Sequence, residues 1–309
     1  MQHAILFPGQ GSQEAGMGRD VAETWPQAMD LWKQAERISG LALREIYWDG
    51  DAQAMSSTRA LQPALTVVNV TLWAKAREKI RPLVAAGHSL GEWSALAAAG
   101  VLSATEVLEA VSLRGRLMEE AAAARPGAMA AVLKLPLEAV CAIVDTVAQD
   151  TGAVVRIANY NTPQQHVVSG ERTAVEAVCA LVKERKGRSV MLPVSGPFHT
   201  PLLAEAAAEF ARYLERLSWR EPAFPVVLNT TGAAAHTAAA IFPAMQEQMT
   251  ASVHWYQGIG AMADLGARSF VEIGPKGVLS RMVGQIIDDP EVRSACISTL
   301  DQLAAWEEA

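Results

Sequence analysis

Short apolar runs alternate with stretches in which apolar residues return every three or four positions. Residues 4–7 (Ala-Ile-Leu-Phe) and 83–86 (Leu-Val-Ala-Ala) read as strands, while residues 60–80 and 93–99 read as helices. Such alternation predicts an α/β domain built on a parallel sheet. From residue 129 the order changes to strand (129–133), helix (137–149), strand (154–158), strand (166–169), helix (173–186) and strand (189–192). This βαββαβ order is that of a ferredoxin-like unit. In its second helix Val175, Val178, Cys179 and Val182 recur at three and four residues, which predicts one buried face. Pro and Gly punctuate the entry at Arg125-Pro126-Gly127 and the exit over residues 193–197. The expectation is therefore a small domain over 126–194 inserted into a larger one formed by 1–125 and 195–309. A helical stripe at Leu203, Ala207, Phe210, Leu214 and Leu217, then strands at 226–228 and 270–273, return the chain to the larger unit.

Composition narrows the class. The chain has 309 residues, half of them hydrophobic and 19% charged, enough to bury a large core. No apolar stretch reaches the length of a membrane span, and no basic region followed by a long apolar one opens the sequence. A net charge of -7 argues against general binding to nucleic acid or membrane. Cys141, Cys179 and Cys296 are odd in number, widely spaced and set among apolar neighbours, so buried thiols are expected, not bridges or zinc ligands. A reducing cytoplasm is the simplest compartment.

The candidate chemistry centres on Gly87-His88-Ser89-Leu90-Gly91, entered from a strand-like run and left through a helical one. Glycines two residues to either side allow a sharp strand-to-helix turn that exposes the serine hydroxyl, the nucleophile elbow of acyl-transfer enzymes. The amide of Leu90 can then face a developing oxyanion. A second Gly-rich loop, Phe7-Pro8-Gly9-Gln10-Gly11-Ser12-Gln13, follows the first strand. It lacks the lysine of a phosphate loop, and Gln10 is the natural donor of a second oxyanion amide. Among six histidines His199 is the preferred base, because it lies in a loop at the domain crossing, whereas His88 would point elsewhere on the tight turn. Asp145 and Asp150, the aspartates between serine and histidine in chain order, fall on or after a helix of the inserted unit. A serine–histidine dyad with the imidazole oriented by a backbone carbonyl is expected in place of a triad.

With these segments in view the chain resembles the malonyl-CoA:acyl carrier protein transacylases along nearly its whole length. The resemblance is carried by residues 7–13, Gln62-Pro63-Ala64, Gly87-His88-Ser89-Leu90-Gly91-Glu92 with Ser94-Ala95-Leu96, and Arg114-Gly115-Arg116. It continues through Gly127-Ala128-Met129-Ala130-Ala131, Asn159 and Asn161 before Thr162-Pro163, Phe198-His199, and Glu272-Ile273-Gly274-Pro275. The family fold is a hydrolase-like α/β domain with a ferredoxin-like insertion, in agreement with the element order. The resemblance implies Ser89 as acylated nucleophile, His199 as base, and the amides of Gln10 and Leu90 as oxyanion hole. It implies Arg114 as the partner of the malonate carboxylate, and Gln248 as the residue whose main-chain carbonyl orients the histidine. Phe198 fits the malonyl-type pattern, a bulky ring that leaves little room for an α-methyl group. Two departures stand out: Trp93 where the family often has tyrosine, and Pro197 where it often has alanine.

The implied reaction moves malonyl from malonyl-CoA to the phosphopantetheine thiol of acyl carrier protein, by a ping-pong route through malonyl-serine, in fatty acid biosynthesis. No bound cofactor or metal is implied, and a monomer is expected. Carrier proteins are acidic, so two basic runs are candidate docking areas: Lys183, Arg185, Lys186 and Arg188, or Lys75, Arg77, Lys79 and Arg81. Rival readings are the same transfer in polyketide synthesis or a malonate decarboxylase, a serine thioesterase, and a catalytically silent scaffold for carrier protein.

Overall fold

The computed structural model describes residues 2–194 and 196–306. Ser195, in the loop expected to deliver His199, and the chain ends at 1 and 307–309 lie outside the described residues. In chain order the elements are β1 (Gln2–Phe7), α1 (Arg19–Thr24), α2 (Pro26–Ser39), α3 (Thr58–Ala76), β2 (Arg81–Gly87), α4 (Gly91–Ala98) and α5 (Ala104–Ala124). There follow β3 (Gly127–Leu133), α6 (Leu137–Thr151), β4 (Val155–Thr162), β5 (Gln165–Glu171), α7 (Arg172–Glu184) and β6 (Arg188–Met191). The chain closes with α8 (Ala204–Leu214), β7 (Val226–Val227), β8 (Ala234–Ala235), α9 (Ala238–Glu247), α10 (Trp255–Asp264), β9 (Ser269–Ile273), α11 (Val278–Ile286), β10 (Arg293–Ile297) and α12 (Leu300–Ala304).

The larger sheet has the order β10-β9-β1-β2-β7-β8 and is parallel except for the short antiparallel β7–β8 pair. Its central strands are apolar on both faces, as parallel strands covered by helices must be: Ile5 and Phe7 pack into one core cluster, Ala4 and Leu6 into another. Helix α3 is buried nearly all round, which suits a helix enclosed between the sheet, α2 and α5. Ser57 caps it by accepting from the Ala60 amide. Ser103 and Glu106 form a full capping box on α5, fixing the start of the helix that carries Arg114.

The second sheet, β4-β5-β3-β6, is antiparallel throughout and is covered on one face by α6 and α7. Alternation sends Ala128, Ala130 and Val132 of β3 toward those helices and Met129 and Ala131 to the other side. On β4 the same alternation would carry Asn159 to the helix side with Val155 and Ile157. A register irregularity between Ile157 and Asn159 reverses the facing, so Asn159 and Asn161 look away from the helices.

Two expectations are corrected. The thiols of Cys141, Cys179 and Cys296 are half-buried, and Cys179 sits at the margin of the α7 stripe whose centre is Val175, Val178 and Val182. Leu217 lies beyond α8, which stops at Leu214. No helix among the described residues is long and apolar enough to cross a membrane.

Candidate active site

In a parallel sheet the loops leaving the carboxyl ends of neighbouring strands converge on one edge. Here the loops after β1, β2, β7 and β9 meet there, bringing together residues 8–11, 88–90, 228–229 and 274–277. The first two are in van der Waals contact through glycine. A Cβ on Gly91 would collide with the Phe7 carbonyl, and one on Gly9 with the His88 carbonyl. That approach places Gln10 beside Leu90 in the wall of a cavity of about 270 Å³.

Ser89 Oγ lies 2.8 Å from His199 Nε2. The other ring nitrogen, Nδ1, faces two main-chain carbonyls, Gln248 O at 3.1 Å and Ala251 O at 3.0 Å. Two acceptors at Nδ1 require the proton there, which leaves Nε2 free to accept from the serine. The carbonyl-bearing segment is latched to the second sheet: the Tyr160 amide donates to Val253 O and the Val253 amide to Ala158 O, both at 2.8 Å. Among the described residues no carboxylate touches the imidazole, and the site is a dyad in its contacts. Burial, followed by the positive charge of Arg114 and by His88, lowers the His199 pKa to about 3, so the ring is neutral at physiological pH.

Both Ser89 (φ 50°) and His199 (φ 61°) occupy the left-handed region, which non-glycine residues rarely adopt. Strain of this kind persists only where surroundings impose it. For Ser89 the surroundings are explicit: its amide donates to Asn229 Oδ1 at 2.7 Å, and its carbonyl accepts from Gln248 Nε2 at 2.9 Å.

Arg114 projects from α5 and is 1% exposed. Its three hydrogen-bond partners are neutral: Nε donates to Gln248 Oε1 (3.1 Å), Nη1 to Gln62 Oε1 (2.9 Å) and Nη2 to Ser89 Oγ (3.2 Å). Burial pulls the guanidinium down to about 10 while Glu92 pulls it up, so it remains charged at neutrality. Glu92, also buried, accepts from Gln248 Nε2 at 2.6 Å and from the Asn229 amide at 2.9 Å. Burial raises its carboxyl to about 7 against the pull of those donors and of Arg114.

The remaining wall is largely apolar, with Met118 from α5, Met129 and Ala131 from β3, Val167 from β5, and Leu192 and Val194 after β6. Phe198 completes it, and a side chain at Gly196 would strike the Phe198 ring. His88 points away from the serine, as expected, and bonds Asn161 Oδ1 at 2.8 Å.

Thus Ser89, Leu90, Gln10, His199, Arg114 and Phe198 line one cavity, and Gln248, buried behind it, bonds Ser89, His199 and Arg114. Asn229 and the side-chain role of Gln248 were not foreseen. The available signal was position: Asn229 follows a strand of the parallel sheet, at the edge where site residues collect.

A family model described as acyl transferase domain matches residues 5–301. A malonyl CoA-acyl carrier protein transacylase of Bacillus subtilis is 37% identical over 309 residues, covering 97% of each chain. The Haemophilus influenzae protein of the same name is 37% identical over 93% of this chain and 92% of its own. Among solved structures, a malonyl-CoA:acyl carrier protein transacylase from Xanthomonas oryzae superimposes with a TM-score of 0.91 at 37% identity over the full length of both chains. A malonyl-transacylase solved in complex with a type II polyketide acyl carrier protein gives 0.92 at 33% identity, over 99% of this chain and 98% of that one.

Proposed function

The chain belongs to the acyl transferase domain family, and from that premise we propose that it transfers malonyl from malonyl-CoA to the phosphopantetheine thiol of an acyl carrier protein, as an [acyl-carrier-protein] S-malonyltransferase of fatty acid synthesis. The observation that carries the choice of acyl group is Arg114. A buried guanidinium whose hydrogen-bond partners are all neutral, one of them the nucleophilic hydroxyl, is placed to receive an anion. In malonyl thioester the carboxylate is one methylene from the reacting carbonyl, which suits an arginine within hydrogen-bond reach of the serine.

In the first half-reaction His199 Nε2 takes the Ser89 proton as Oγ attacks the thioester carbon. The oxyanion of the tetrahedral intermediate is received by the amides of Leu90 and Gln10. Collapse breaks the carbon–sulfur bond, and the departing CoA sulfur takes the proton from His199. In the second half the carrier's thiol gives its proton to the same nitrogen and attacks the malonyl ester, and Ser89 leaves as the hydroxyl. The apolar wall disfavours water as the competing nucleophile, while Arg114 holds the acyl group in one pose. Phe198 restricts the space beside the acyl carbon and so disfavours an α-methyl branch.

We take 126–194 as a small domain inserted between 1–125 and 195–309, its sheet roofing the cavity. The candidate site residues converge within one chain, which supports a monomer as the working unit. Of the two basic runs we favour Lys183, Arg185, Lys186 and Arg188, because β6 leads directly to Leu192 and Val194 in the cavity wall. The other run ends at Arg81, the amino end of β2, a strand's length of roughly 20 Å from the elbow. Its Lys75 and Lys79 are already engaged, with Trp25 and Glu78 and with the Leu303 and Ala304 carbonyls. The half-buried, unpaired thiols suit a reducing cytoplasm.

The test is Arg114→Ala, with acylation of Ser89 by malonyl-CoA and acetyl-CoA followed separately. The preference for malonyl is expected to collapse by about 100-fold or more, the scale of a charge-assisted bidentate contact in a buried site. A variant that keeps its malonyl preference contradicts the assignment.

A further inference from the structure

We propose that Glu92 is a positioning residue, whose carboxylate holds Asn229 and Gln248 in the orientations that clamp the strained Ser89 backbone from both sides. Neither oxygen of Glu92 reaches the cavity chemistry itself. Oε1 accepts from the Asn229 amide at 2.9 Å and Oε2 from Gln248 Nε2 at 2.6 Å. Each of those residues then grips the elbow. Asn229 Oδ1 receives the Ser89 amide and its Nδ2 donates to the Gly87 carbonyl, both at 2.7 Å, while Gln248 Nε2 donates to the Ser89 carbonyl at 2.9 Å.

The amide of Gln248 is fully used, its oxygen accepting from Arg114 Nε and from Trp93 Nε1 at 3.3 Å, so it cannot turn without breaking a bond to the arginine. Its main-chain carbonyl faces His199 Nδ1. A single carboxylate thereby links nucleophile, base and arginine through two neighbours. Burying that carboxylate is costly, and Glu92 is 1% exposed on a short helix where an apolar side chain would pack more cheaply. What an apolar residue could not do is accept from both donors while Ser89 holds φ 50°. Glutamine cannot do it either, because it has one acceptor oxygen and would set its NH₂ against one of the two donors.

The inference rests on Ser89 being the acylated nucleophile, and parental acylation by malonyl-CoA tests that separately. If the parent fails to form malonyl-serine, the function is wrong; the following outcomes bear on Glu92 alone. Glu92→Gln and Asn229→Leu are compared with the parent in rapid-quench mass spectrometry of Ser89, using malonyl-CoA and then phenylmethylsulfonyl fluoride, a probe without a carboxylate. The expected result is a fall of about tenfold or more in the rate constant with both reagents, at full final labelling and with the malonyl-CoA Kd within about twofold of the parent. Unfolding would lower the labelled fraction and leave the rate constant of the rest intact. The proposal is overturned by rates within about twofold of the parent, by slowing with malonyl-CoA alone, or by loss of labelled fraction alone in both variants.

Discussion

Ser89, His199 and Arg114 entered on unequal grounds. The serine is legible from Gly87-His88-Ser89-Leu90-Gly91 and its strand and helix flanks, because the elbow is a local device. His199 is singled out by its loop together with the family resemblance, whereas for Arg114 the apolar setting beside Leu113 and Gly115 leaves a buried and a solvated arginine about equally compatible, and the resemblance decides. Glu92 and Asn229 had no role assigned, for their contacts join positions 137 residues apart in sequence. Such a network also makes a pH-dependent contribution to stability. The carboxyl of Glu92 is raised from an ordinary 4.5 to about 7 by burial. The fold therefore binds its proton more tightly than the unfolded chain does. This group's contribution is fully present below about pH 4.5 and is lost as pH rises through about 7. Thermal melts of Glu92→Gln, which does not titrate, should gain on the parent as pH is raised from about 5 to about 8. A melting-temperature difference that stays constant over that range contradicts the assignment.

The strands and helices legible in the sequence are those with strong periodicity. Residues 4–7 and 83–86 lie within β1 and β2, and the βαββαβ order is realised in the antiparallel sheet with its two helices. β10 is not legible in the sequence because Arg293 and Ser294 are exposed at a sheet edge and give the strand no alternation. The reversal at β4 could not be read either, since a register irregularity leaves no mark in the hydrophobic pattern. The two catalytic loops are held together at the element level by the glycine contact between β1 and the elbow. Gly91→Ala should therefore force β1 and α4 apart, costing about 1–3 kcal/mol in chemical denaturation and slowing Ser89 acylation. An alanine variant as stable and as fast as the parent would show that the contact has no such consequence.

At the scale of the whole molecule, the proposed encounter with an acidic carrier is opposed by this chain's net charge of -7. Attraction would have to be local, and in our proposal the run from Lys183 to Arg188 beside the cavity wall supplies it. Charge reversal at Lys186 and Arg188 should slow transfer to carrier protein by about tenfold or more at low salt, with acylation by malonyl-CoA unchanged. Equal transfer rates would move the docking surface elsewhere. The sheet whose β6 begins at Arg188 also walls the chamber, so in our proposal one unit would both receive the carrier and enclose the acyl group. The account as a whole turns on Ser89 holding malonate between two thiols. Intact-protein mass spectrometry after brief exposure to malonyl-, methylmalonyl- and acetyl-CoA, with Ser89→Ala as control, reads this directly. The account predicts one persistent malonyl adduct on the parent, little or no methylmalonyl or acetyl adduct, no adduct on Ser89→Ala, and discharge on adding carrier protein. A malonyl adduct that forms equally on Ser89→Ala, or malonyl-CoA hydrolysis with no accumulating acyl-enzyme, would contradict it.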